Sequence, residues 1–271
     1  WKVQVWDKEG SRSEWSEASR FQISVTSAKV SQVVRPTTVT GKVQFVAGKI
    51  GQAIRLGGAE VSAQDYEGLH STKGTTIAAW IKPERITAGW QCIYRKEDGA
   101  RRLLAIGQEG PHWGVWCGFV INGRYLEYGV PFDRKVLGDG QWHHLAVSYD
   151  GAKLVLYVDG KSIGQKPFRG SLGSGGDSPA FVGSYQGNRE RFQGVIDDLR
   201  IYDRGLAQAE VAELATANPK SAPQGLVAHW SFDGSADNAA TFTPESKDDR
   251  IVLLGGSLIH GMEPHGYFET A

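Results

Sequence analysis

GQWHHLAVSYDGAKLVLYVDGKSIG, residues 140–164, holds two apolar runs separated by Asp150-Gly151 and closed by Asp159-Gly160. Asp-Gly suits a tight turn, because glycine adopts positive φ without steric cost and aspartate tolerates the conformation beside it. In the first run Leu145, Val147 and Tyr149 alternate with His144, Ala146 and Ser148; in the second Leu154, Leu156 and Val158 alternate with Val155 and Tyr157. A period of two sends alternate side chains to opposite faces. The stretch predicts a long antiparallel hairpin with one set buried and the other on an outer or concave face.

Outward from this hairpin, apolar runs predict strands at 52–57, 75–82, 91–96, 102–107, 113–121, 124–129, 179–184 and 192–202. Turn signals such as Asp98-Gly99, Gly110-Pro111 and Asn122-Gly123 separate them, the pattern of a sandwich or barrel. Leu206, Ala209, Val211 and Leu214 fall at near-helical spacing within 205–216, and Asn218-Pro219 ends that helix. Trp142-His143-His144-Leu145-Ala146, the turn, and the LVLYVDG run at 154–160 resemble the laminin-G-like, concanavalin A-like family of jelly-roll domains. GKIGQAIRLGG at 48–58, TTIAAWIKPE at 75–84 and FQGVIDDLRIYDRGLAQAEVAEL at 192–214 follow that family's order. They stand as its opening strand, its buried-tryptophan strand and its closing strand with helix. The resemblance covers residues 39–216 and implies an all-β fold, a two-sheet antiparallel jelly-roll sandwich with a short C-terminal helix. Such a fold hosts many functions, so the side chains must supply the rest.

A length of 271 residues suits one sandwich plus fragments of other domains. Basic and acidic residues number 30 each, so no charge excess points to nucleic acid or an anionic membrane. No apolar run approaches the roughly 18 residues that span a bilayer, and membrane insertion is not expected. The two cysteines, Cys92 and Cys117, both sit in predicted strands. A cross-strand disulfide and a pair of buried free thiols are both open readings. No second Cys or His cluster accompanies them to hold zinc.

The flanks read differently. Residues 1–25 alternate through Trp1, Val3 and Val5 and again through Phe21 and Ile23, with a Gly/Ser-rich turn between. They resemble the last two strands of a fibronectin type III domain, as found in modular bacterial glycosidases, and two strands bury no core alone. Residues 26–38 and 217–248 read as linkers, the second carrying GLVAHWSFDG at 225–234, which resembles a laminin-G-type opening strand. Strand 225–232 either starts another domain or folds back as an edge strand of the sandwich. Residues 249–271, with IVLLGGS running into a glycine turn, resemble the first block of SGNH/GDSL-type hydrolases and SGNH-like segments of large, some haem-binding, bacterial proteins. Ser257 stands at the nucleophile position, with Gly256 where aspartate is usual. Without a base and an oriented partner it is inactive in this fragment.

Within the sandwich, the glucanases of this architecture carry a Glu-x-Asp-x-x-Glu strand whose carboxylates face one another. Ala63-Gln64-Asp65-Tyr66-Glu67 is the nearest approach and lies in a loop, so the domain reads as non-catalytic. Asp197, in GVIDDLRIYD, matches the family position for a structural calcium, which needs six to eight oxygens. The alternative pairs Asp197 and Asp198 with Arg200 or a loop amide. Trp90, Trp113, Trp116, Tyr125, Tyr128 and Tyr185 fall in or beside turns and strand ends, with Trp113 and Tyr185 leading. Sugar C–H faces stack on such rings, and Asn122, Arg124 and Gln186 supply hydroxyl partners. Trp80 and Trp142 are assigned to the core. His143 and His144 point to opposite faces and serve packing and hydrogen bonding rather than one metal. Gly-rich 170–176 lacks the ending of a phosphate loop and reads as a flexible loop.

The expected function is a glycan-binding accessory module, for an extracellular polysaccharide, within a larger secreted, cell-surface or periplasmic bacterial polypeptide. A structural spacer or protein-interaction module is the alternative. A further one is an accessory part of an SGNH-type esterase or a haem-associated redox protein.

Overall fold

The computed structural model describes residues 32–216 and 223–241, all within one compact unit. The fibronectin-like segment 1–25 and the SGNH-like segment 249–271 with Ser257 lie outside the described residues. The strands in chain order are β1 (Gln32–Arg35), β2 (Thr37–Thr40), β3 (Gln44–Ala47), β4 (Gln52–Arg55), β5 (Glu60–Ala63), β6 (Thr75–Pro83), β7 (Gln91–Lys96) and β8 (Arg102–Glu109). They continue as β9 (His112–Ile121), β10 (Arg124–Pro131), β11 (His143–Tyr149), β12 (Lys153–Val158), β13 (Lys161–Pro167), β14 (Ala180–Val182), β15 (Gly194–Tyr202), β16 (Leu226–Trp230) and β17 (Asn238–Thr241). Helix α1 (Arg134–Leu137) and helix α2 (Gln208–Leu214) complete the set with a 3-10 turn at Glu67–His70.

Two antiparallel sheets form the sandwich. One runs β10-β9-β8-β7-β14-β5-β2; the other runs β13-β12-β11-β6-β15-β4-β3, with β16 beside β15. Between them lies a core that includes Ile54, Ile77, Ile81, Ile93, Leu104, Val115, Phe119, Leu145, Val147, Leu156 and Ile196. The central hairpin pairs Leu145 with Val158 and Tyr149 with Leu154, as the Asp-Gly turns require. Its second face is not left to solvent. Ala146, Val155 and Tyr157 join Ala78 and Tyr202 beneath Leu206, Val211 and Leu214, so helix α2 and the segment leading into it cover the back of this sheet.

Segments expected to be linkers supply strands. Of 26–38, the described part forms β1 and the start of β2, and β2 pairs with β5 at the sheet edge. In 217–248, β16 folds back onto β15, matching Leu199 with Trp230 and Ile201 with Ala228, while β17 pairs with β1. The reason lies in β15. Its first half is covered by β4 through Val195 and Ile196, and β16 pairs the second half that would otherwise stay an open edge. Trp230 and Phe232 are fully buried, and the Trp230 indole donates to Thr37 Oγ1 at 3.2 Å. This strand therefore completes the core.

Candidate functional site

The alternation of β9 sorts its side chains. Trp113, Val115, Cys117, Phe119 and Ile121 point into the core, which leaves Gly114, Trp116, Gly118 and Val120 on the outer face of the seven-stranded sheet. On β10, Glu127 pairs with Gly118 and Gly129 with Trp116, so Tyr125, Glu127 and Gly129 share that outer face. Two glycines shape it. A methyl at Gly129 would collide with the Trp116 indole, and one at Gly118 with the Tyr125 phenol. Each ring lies down in the space that a neighbouring strand leaves empty. Trp116 is held there by its indole N–H, which donates to the Gly107 carbonyl at 3.0 Å. Trp90 stands against it with ring centroids 5.3 Å apart and planes inclined by 54°. Both tryptophans are partly exposed, so they form an angled aromatic corner open to solvent.

Alongside runs a ladder of charge. Arg101 lies over the Tyr125 ring at 3.6 Å, and Arg95 over the Tyr185 ring at 3.8 Å. Glu97 joins the two arginines: one oxygen accepts from Arg95 Nε, and the other sits 2.9 Å from Arg101 Nε as a charge contact. Arg95 Nη1 also donates to Glu190 at 2.9 Å. Burial works against the Arg95 charge, yet the hydrogen bond to Glu97 and the nearby carboxylates hold its pKa above the ordinary value. Tyr125 donates to Glu127 at 2.7 Å, and burial with that bond raises its pKa. Beneath this layer Cys92, Leu103 and Ala105 are buried against Trp90 and Tyr185. The turn that starts at Tyr185 closes on itself through Tyr185 N–H to Arg189 at 2.8 Å and docks through Cys92 N–H to Glu190 at 2.8 Å.

Four of the predicted aromatic residues, Trp90, Trp116, Tyr125 and Tyr185, thus meet on one face. The others do not. Trp113, expected to lead, is only 9% exposed and packs in the core, touching solvent along a shallow cleft of about 430 Å³ beside Pro111 and Phe132. Tyr128 lies on the inward row of β10 with Leu126 and Val130. Asn122 is exposed but engaged: Nδ2 donates to Arg169 at 3.1 Å and Oδ1 accepts from Ser171 N–H at 3.1 Å, which pins the next loop. Arg124 is exposed at the same turn, and Gln186 at the tip of the 185–189 turn. Trp142 is only partly buried, unlike Trp80. The glycine-rich loop is tied down rather than free, through Gly173 N–H to Val120 at 2.8 Å and Gly175 N–H to His70 Nδ1 at 2.9 Å.

Sequence reasoning missed Arg95, Glu97, Arg101 and Glu190; the first three lie within seven residues, at spacings that carried a signal, whereas Glu190 arrives on a returning turn. For Trp113 the signal was present, since every second residue from 113 to 121 is apolar. Asp65 is occupied by His70 at 2.8 Å and by buried Lys96 at 2.8 Å, whose ammonium also holds Asp98 at 2.7 Å. Cys92 and Cys117 are both free and buried, on opposite faces of the sheet with β8 between them. Burial, and then Glu190, push the Cys92 thiol well above its ordinary pKa, and it donates to Glu190 at 2.9 Å. His143 binds Asp159 at 2.9 Å and Asp139 at 3.2 Å, while His144 meets the Trp80 edge at 5.2 Å.

Asp197 and Asp198 diverge. Asp198 takes Arg200 at 2.9 Å and His229 of β16 at 2.7 Å. Asp197 is fully buried and accepts the Ile50 N–H at 2.9 Å, with the Lys49 and Asp198 amides beside it and its Oδ1 unpartnered. Burial, helped by the charge of Asp198, pushes its pKa up to about 7. A carboxylate ringed by N–H donors is the reverse of the oxygen cage a hard cation needs. Among the described residues no group of three acidic, His or Cys side chains is placed to hold a metal. The N–H donors crowd one Asp197 oxygen and leave Oδ1 open.

Residues 56–212 match the Concanavalin A-like lectin/glucanases superfamily. The chain is similar to human Pentraxin-4, 28% identical over 166 residues, covering 57% of this chain and 33% of that protein. It is 20% identical over 180 residues to Adhesion G-protein coupled receptor V1 of Danio rerio, covering 65% of this chain and 3% of that one. It thus spans a third or less of these curated relatives. Among solved structures, domain 4 of AbnA, an extracellular arabinanase from Geobacillus stearothermophilus in complex with arabinotriose, superposes with a TM-score of 0.51 at 25% identity, covering 67% of this chain and 88% of that one. The binding domain of Paraclostridial Mosquitocidal Protein 1 superposes with a TM-score of 0.53 at 20% identity, covering 67% and 47%, and speaks to the fold. No helix among the described residues is long and apolar enough to cross a membrane.

Proposed function

The chain belongs to the Concanavalin A-like lectin/glucanases superfamily, and from that premise we propose that it is a non-catalytic glycan-binding module serving a larger secreted bacterial protein. The observation that carries this reading is the corner made by Trp90 and Trp116 on the outer sheet face. A pyranose or furanose ring presents apolar C–H groups on one face and hydroxyls at its edge. Trp116, laid flat over Gly129, offers the C–H groups a platform; Trp90 offers a wall. Exposed Glu127, already oriented by the Tyr125 hydroxyl, offers an acceptor for hydroxyls. The arabinotriose complex of a similar domain supports the same ligand class.

A spacer or protein-interaction module is the rival reading. Large exposed apolar side chains are confined to Val136 among the described residues, which gives a dry protein interface little to bury. The test is a glycan array probed with the intact chain. Retention of plant or algal polysaccharides, lost in Trp116→Ala, is expected; a blank array at high protein concentration removes the reading.

A further inference from the structure

Resting on the glycan-binding reading, we propose that this face selects uncharged glycans and that Glu97 is the residue that makes it selective. Two guanidinium groups flank the aromatic platform, one over Tyr125 and one over Tyr185. Arginine with free donors recognises carboxylate or sulfate through its planar fork, which would favour uronate or sulfated chains. Here the Arg95 fork is engaged before any ligand arrives, and Arg101 already has a carboxylate beside it. Glu97 takes Arg95 Nε with one oxygen and lies 2.9 Å from Arg101 Nε with the other. Glu190 takes Arg95 Nη1 at 2.9 Å. The row Arg101, Glu97, Arg95, Glu190 alternates in sign and carries no net formal charge.

Burial keeps the row closed. The Arg95 side chain is 7% exposed and Glu97 18%, so neither swings freely into water to make room. An incoming carboxylate would meet Glu97 as a like charge at the place where it must bind Arg101, and like-charge contacts are strongly disfavoured. A neutral sugar meets no such penalty. It uses the rings for its C–H faces and the outer edges of Glu127 and Arg101 for its hydroxyls. Glu97 therefore acts through the arginines, as a specificity-determining residue that need not touch the glycan.

The experiment is affinity electrophoresis of the intact chain in gels containing arabinan and other neutral polysaccharides, or polygalacturonate, at low and high NaCl. Wild type is expected to be retarded by a neutral polysaccharide independently of salt and to ignore polygalacturonate. Glu97→Gln frees the Arg101 fork and should raise binding to polygalacturonate about fivefold at low salt, with the gain lost at high salt. Glu109→Gln makes the same charge change at an exposed carboxylate on the same sheet, and should leave binding unchanged. Equal gains in both variants, or no gain in a folded Glu97→Gln, overturn the role of Glu97. Wild type that prefers polygalacturonate, with salt-sensitive binding, overturns the selectivity and leaves the glycan reading standing. Wild type alone decides this if Glu97→Gln melts early. Retardation by no polysaccharide removes both.

Discussion

The Trp116 indole occupies the volume that a side chain at Gly129 would fill, so the platform exists because the neighbouring strand carries no Cβ there. Gly129→Ala is therefore expected to lift the indole off the sheet and break its bond to the Gly107 carbonyl. Glycan binding should fall as far as in Trp116→Ala, while the melting temperature changes little at this edge hairpin. Binding that survives Gly129→Ala unchanged contradicts the platform geometry.

Trp113 and Trp116 stand three residues apart on β9, on opposite faces, and their alanine variants should separate cleanly. Trp113→Ala empties core volume and is expected to cost about 3–5 kcal/mol of stability. Trp116→Ala should cost far less and abolish binding. Chemical denaturation alongside a binding assay checks both, and the reverse pattern would undo the face assignment.

Asp197 and His144 titrate in opposite senses. Burial pushes Asp197 up to about 7, so in the folded state it holds a proton that the unfolded chain has released. Its contribution to stability falls as pH rises from about 4 to about 7. Burial pushes His144 down to about 4, so the unfolded chain takes up a proton that the folded one refuses, and stability falls as pH drops through the same window. Asp197→Asn should therefore gain stability relative to wild type as pH rises from 5 to 7. His144→Phe should gain relative to wild type as pH falls from 6.5 to 4.5. Thermal melts across pH, compared variant against wild type, read each difference. EGTA tests an ion at Asp197 directly: an unchanged wild-type melt counts against one, and a lowered melting temperature supports it.

Cys92 and Cys117 on opposite faces predict no disulfide under oxidising conditions. A thiol reagent should label neither in the folded protein and both after unfolding without reductant. One thiol or none recovered after unfolding contradicts the arrangement.

The legibility of this fold varied with the chemistry of each strand. β6, β9, β11, β12 and β15 announce themselves through apolar periodicity, because both of their neighbours and a core face select for it. β13, which reads KSIGQKP, does not. It is an edge strand with one partner, largely exposed, and contains Gly164 and Pro167. β1, β2, β3, β5 and β17 are four residues long, too short for a period to show. The fold-back of β16 hangs on an unpaired half of β15, a property of the assembled sheet. At the site, residue type suggested the aromatics, but face decides function. The odd-numbered apolar row of β9 could have sent Trp113 inward. The two-residue spacing of Arg95 and Glu97, with Arg101 four residues on, could have joined those three, but nothing local could have brought Glu190 from a distant turn onto Cys92.

The most direct test of the central claim is a titration of the intact chain with a neutral arabino-oligosaccharide such as arabinotriose, followed by two-dimensional NMR of the tryptophan indole N–H signals. Perturbation confined to the Trp90 and Trp116 signals, assigned by single substitution, is the predicted result. Saturation that leaves these two unmoved and shifts the Trp113 signal instead would place the ligand at the end cleft and contradict the account.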